Sequence, residues 1–133
     1  MPPERPAPGT PAAWLRYARS DLALGRVPIS GEILLEALCY HIQQAAEKSI
    51  KAVLTHLAIP FPRTHNLKVL LELLPPTLVP PDLVAQAAAL TDYAVVSRYP
   101  GAYEAVTEDE YQEALRLGEA VVLWAEGAIH PNS

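Results

Sequence analysis

Cysteine is almost missing from these 133 residues: Cys39 stands alone, so no intramolecular disulfide can form, and a reducing intracellular setting is the simplest expectation. No apolar run approaches the ~18 residues that a membrane helix needs, and the first residues are proline-rich where a secretion signal is apolar. A cytoplasmic protein without a membrane segment is therefore expected. The six glycines build no phosphate-cradling loop, and neither a helical metalloprotease motif nor a serine nucleophile elbow is present. Strand-like alternation of apolar and polar residues is lacking, as is any internal repeat. The four histidines show no metal-ligand spacing; Cys39 and His41, two apart on a helix, diverge by about 200°. These absences remove support from most enzyme classes and predict neither metal nor cofactor.

A chain of this size buries roughly two-thirds of its unfolded surface as one domain. Residues 1–9, with four prolines and little to bury, read as a disordered arm, and residues 10–130 as the folded unit. The net charge of −5 is unevenly spread: residues 1–68 sum to +3 and residues 69–133 to −8. Such a two-sided molecule can self-associate or offer a basic patch to an anionic partner. Half of the residues are hydrophobic, more than one small bundle hides comfortably, so a homo-oligomer of at least two copies is expected.

The longest proline-free stretch runs through Ser30–Leu57 and predicts one amphipathic helix of roughly 40 Å, with Ser30 as its cap and Glu32 in its first turn. Leu34, Leu38, Ile42, Ala45, Ala46, Ile50, Val53, Leu54 and Leu57 form its buried stripe, and Glu47 and Lys51 fall at the spacing of an exposed ion pair. An earlier helix, capped by Thr10 with Pro11 at its first position, should reach Gly25 and bury Trp14, Leu15, Ala18, Leu22 and Ala23. Prolines then bracket a short helix over 64–74 and another over 82–97. Thr107 and Glu110 form a capping box for the last, running to about Gly127. The pattern predicts an all-α fold, an up-and-down four-helix bundle with one additional short helix.

Two polar runs stand out. Residues 40–48, Tyr-His-Ile-Gln-Gln-Ala-Ala-Glu-Lys, set polar groups beside small alanines, where a neighbouring helix can approach closely. Residues 92–103 place Arg98 among Tyr93, Tyr99 and Tyr103 at a helix end. A guanidinium there either satisfies the last helix carbonyls or holds a phosphate in its planar fork, with tyrosines as stacking platforms.

The run from Cys39 to Leu54, then Thr64-His65-Asn66-Leu67, then Arg98-Tyr99-Pro100, together with residues 14–22, resembles the HEPN family. That resemblance implies a helical bundle that pairs two-fold, commonly beside a minimal nucleotidyltransferase with which it behaves as a toxin–antitoxin pair. In the family's ribonuclease branch an arginine is followed by a histidine after four to six residues. Arg98 is present here, whereas the histidine positions hold Tyr103, Glu104 and Ala105. The resemblance therefore implies a binding and assembly protein. Arg98 and, secondarily, Tyr103 are its candidate catalytic residues. Arg98, Tyr99 and Lys48 are its candidate contacts to a nucleotide or RNA phosphate. A weak metal-independent endoribonuclease using Arg98 with Tyr103 or a displaced histidine such as His65 is the alternative, and a non-catalytic helical scaffold a second one.

Overall fold

The computed structural model describes residues 5–96 and 105–131, and among these it is all-helical, without a strand. Three long helices form its frame: α1 (Pro11–Gly25), α2 (Leu35–His56) and α6 (Glu108–Ile129). Between the last two, the chain folds through α3 (Leu67–Glu72), α4 (Asp82–Gln86), a 3₁₀ turn (Ala87–Asp92) and α5 (Tyr93–Val96). Every other helix except α4 packs directly on α2.

Two helices press against α2 at one residue. Ile42 of α2 lies between Gly25 of α1 and Gly118 of α6, where an added Cβ would stand 2.6 Å and 2.5 Å from its side chain. Glycine is required there because only a bare Cα lets both neighbours approach the branched isoleucine. The fully buried Leu54, Leu67, Leu70 and Leu90 extend this core toward the short helices.

The ends of the elements are set by local chemistry. Thr10 accepts the Ala13 N–H, Asn66 accepts those of Lys68 and Val69, and the predicted Thr107–Glu110 capping box is present. The last helix continues two residues beyond the predicted end, to Ile129. At the end of α2, Ile59 donates to the Leu54 carbonyl and Ala58 to that of Thr55, a Schellman closure. Its left-handed position, φ 58°, is held by Ala58 where glycine is customary.

Several expectations are corrected. The second helix starts at Leu35, not near Ser30, and Glu36 rather than Glu32 occupies its first turn. The Ser30 carbonyl instead accepts the Ile33 N–H in a turn that tucks Ile33 against the core. Ala23, Leu34 and Leu57, expected in buried stripes, are exposed. The third helix spans only the six residues Leu67–Glu72 rather than 64–74, starting late because Asn66 caps it. The helix expected over 82–97 is broken by the 3₁₀ turn, where the Thr91 hydroxyl accepts the otherwise orphaned Leu67 N–H of α3.

Candidate functional site

The polar run of α2 folds into two carboxylate-centred clusters. In the first, Asp21 of α1 lies 3.0 Å from His41 Nδ1 and also pairs with Lys48 Nζ. In the second, Glu47 lies 2.8 Å from His65 Nδ1 and 2.9 Å from Lys51 Nζ. Each carboxylate thus sits between one imidazole and one ammonium. Gln43 and Gln44 complete the second cluster: both donate to Glu47 Oε1, Gln44 also donates to Gln43 Oε1, and Gln43 to the His65 carbonyl.

Glu47 and Lys51 pair as their spacing predicted, but not on an exposed face; they are only 3% and 8% exposed. The connector after α2 folds back over them, bringing His65 to the carboxylate and Phe61 to the ammonium. Trp14 of α1 closes the other side, so that Lys51 Nζ lies 5.7 Å and 5.6 Å from the Trp14 and Phe61 ring centroids. The Schellman closure at Ala58 aims this connector. A buried carboxylate is stable when its oxygens are saturated by donors, and Glu47 has four side chains donating to it.

The geometry also fixes what the histidines can do. A carboxylate only accepts, so the Nδ1 of His41 and of His65 carries the proton in each pair. The Nε2 of each ring is thereby left free to act toward a third group, the arrangement that orients an imidazole for proton transfer. His65 is half-exposed, and His41 packs edge-on against Tyr40.

Of the residues singled out in the sequence, Lys48 is held by Asp21 and lies 5.9 Å from the Tyr17 ring centroid. Arg98, Tyr99 and Tyr103 lie outside the described residues. Their flanks are placed: α5 packs on α2, and the Val106 N–H donates to Glu36 Oε1 at 2.8 Å, so both ends of the intervening stretch meet α2. The Asp21–His41 contact and the enclosure of Glu47 were not apparent in the sequence. The signals that could have exposed them are a carboxylate on the apolar side of α1 and two adjacent glutamines inside the most apolar helix.

Among the described residues no group of three or more His, Cys, Asp or Glu side chains is placed to hold a metal ion. Cys39 is buried, and desolvation, reinforced by nearby Glu36 and Glu110, pushes its thiol up to about 12. Desolvation likewise raises the neighbouring Tyr93 phenol to about 12. Neither group is a nucleophile near neutral pH. Among the described residues no helix is long and apolar enough to cross a membrane.

The HEPN domain model matches residues 12–128 of the chain. The crystal structure of an archaeal HEPN homologue superposes with a TM-score of 0.69 at 29% sequence identity, covering 90% of this chain and 98% of the other. No curated protein matches the chain.

Proposed function

Because the chain belongs to the HEPN domain family, we propose that it is a binding and assembly module, a homo-oligomer that pairs with a minimal nucleotidyltransferase in a toxin–antitoxin-like unit. Arg98 contacts the phosphate of a bound nucleotide or RNA, with Tyr99 and Lys48 beside it. The observation that carries this reading is a family scaffold matched over nearly the whole chain together with an incomplete catalytic pair: Arg98 is followed by Tyr103, Glu104 and Ala105 where the ribonuclease branch requires a histidine. A guanidinium fork still grips two phosphate oxygens without that histidine. A phenol, with an ordinary pKa near about 10, is a poor base for a ribose hydroxyl at neutral pH. Affinity capture with a co-expressed minimal nucleotidyltransferase tests the pairing: a stoichiometric complex is expected, and its absence from the lysate removes the reading.

A second reading has one observation in its favour. Glu47 holds His65 by Nδ1, leaving Nε2 of a half-exposed ring available as a base, which supports a weak metal-independent endoribonuclease that takes its base from His65 and its phosphate contact from Arg98. Incubating the protein with structured RNA in chelator, beside R98A and H65A, decides it. Cleavage that both substitutions abolish supports the enzyme, and no cleavage, or cleavage that survives either one, rejects it.

A further inference from the structure

Along the outer side of α1 lies a cleft that the reading above leaves unused, and its lining is chemically one-sided. The turn Ala7-Pro8-Gly9-Thr10 is closed by the Thr10 N–H on the Ala7 carbonyl at 3.3 Å, with Gly9 at φ 77°, and it folds the preceding residues back beside the helix. Arg16, Tyr17 and Ser20, at the three- and four-residue spacing of one face, form the facing wall, opposite the buried Leu15, Ala18 and Leu22. Between the walls is a space of about 680 Å³. No Asp, Glu, Asn or Gln lines it. The guanidiniums of Arg5 and Arg16 and the Trp14 indole only donate hydrogen bonds, and the Tyr17 and Ser20 hydroxyls are able to. The rest of the lining is apolar, with Pro6 and Pro8 on one side and the two aromatic rings on the other.

Its charges are uncommitted. Arg19 is bound to Glu126 at 2.8 Å, Arg26 lies 3.8 Å from Glu119, and both core lysines are paired. Among the described residues Arg5, Arg16 and Arg63 alone of the lysines and arginines have no carboxylate partner, and two of the three face this one cleft. In a chain of net charge −5, two such guanidiniums on facing walls are complementary to carboxylates brought from outside. A ligand that fits this lining carries acceptors and apolar surface and few donors of its own. A nucleobase does not: its N–H groups would meet no side-chain amide or carboxylate here. An acidic stretch of polypeptide does, because its carboxylates only accept and its apolar side chains can lie on Tyr17, which is 60% exposed, and on Trp14. The prolines of the arm have no N–H to extend a sheet onto such a stretch, so recognition falls to side chains.

We infer that the cleft between residues 5–9 and α1 is a docking groove for an acidic, extended segment of a partner protein, with carboxylates held by Arg5 and Arg16 and an apolar side chain between them laid against Tyr17 and Trp14. The groove depends neither on Arg98 nor on pairing with a nucleotidyltransferase. Calorimetric titration of the full chain with the peptide acetyl-Asp-Glu-Pro-Leu-Glu-Asp-amide tests it, beside the uncharged acetyl-Asn-Gln-Pro-Leu-Gln-Asn-amide, inorganic phosphate and adenosine monophosphate. The acidic peptide is expected to bind, more weakly as salt is raised, and its uncharged counterpart at least about tenfold more weakly. R5A and R16A, both changes at exposed residues, should each weaken binding about tenfold or more. Y17A should weaken both peptides alike, and R63A, whose arginine is equally unpaired but outside the cleft, should leave binding as it was. No heat of binding at millimolar acidic peptide overturns the proposal, as do equal affinities for the two peptides or binding that survives R5A and R16A together. Tighter binding of phosphate or of the monophosphate than of the acidic peptide, lost in R5A and R16A, would overturn it too, marking a general anion site in place of a docking groove.

Discussion

Removing the Glu47 carboxylate is the sharpest test of how the bundle is held together. In Glu47→Ala the Lys51 ammonium, 8% exposed and 2.9 Å from the carboxylate, loses its counter-ion, and Gln43, Gln44 and His65 lose an acceptor. Breaking a buried pair from one side costs about 3–5 kcal/mol because the remaining charge stays desolvated. For a chain of this length each kcal/mol lowers the midpoint by roughly 3–5 °C, so a drop on the order of 10–20 °C is expected by calorimetry. The double variant Glu47→Leu/Lys51→Met removes both charges and refills the volume, and its cost should fall short of the summed single costs by about 1.5–3 kcal/mol. The connector should also loosen, visible as faster amide exchange over residues 57–66 in Glu47→Ala. A midpoint within a few degrees of wild type, or singles that add, would mean that the pair is solvated and that the enclosure by Trp14 and Phe61 does not shape its energetics.

Other expectations follow from single contacts. Ala58→Gly should stabilise the protein by about 1 kcal/mol, read from urea midpoints, because a residue held at φ 58° is relieved of its Cβ clash. Tyr111→Phe should cost about 1 kcal/mol in the same assay, since the hydroxyl donates to the buried Gly25 carbonyl at 2.7 Å. Cys39 should resist alkylation at pH 8 until the protein unfolds. Its thiol keeps its proton in the fold to about 12 while an unfolded thiol ionises near about 8.5, so the folded state binds more protons and stability should fall between those values. Glu110, held below the usual carboxylate range by the Thr107 N–H, works in the opposite sense: its contribution is present above the ordinary carboxylate pKa and is lost as pH falls through the lowered one. Glu110→Gln, which removes the titrating group, should remove that acid-side dependence.

The helical frame was legible because its signals are local. Proline and the Thr107–Glu110 box mark where helices stop and start whatever surrounds them, and the three-and-four spacing through Ile42, Ile50 and Leu54 needs only one face to be buried. What escaped was decided by tertiary contact. Ser30 is as good a cap by type as Thr10, yet its carbonyl closes a turn because Ile33 has a core to enter. Glu47 and Lys51 have the spacing of a surface pair, and only the folded-back connector, turned at an alanine that carries no sequence mark, buries them. Asp21 met His41 and Lys48 across two helices whose relative rotation no periodicity supplies. For the candidate site the sequence contributed Arg98 and the missing histidine, whereas the oriented imidazoles and the paired state of Lys48 required coordinates.

The central claim is that this HEPN chain works as an assembling partner, and solution mass measures it most directly. Light scattering on the chain alone and after mixing with a minimal nucleotidyltransferase should give at least twice the 14.5 kDa of one copy, then a larger species containing both proteins. A single copy of 14.5 kDa in both samples, with the nucleotidyltransferase eluting separately, would contradict it.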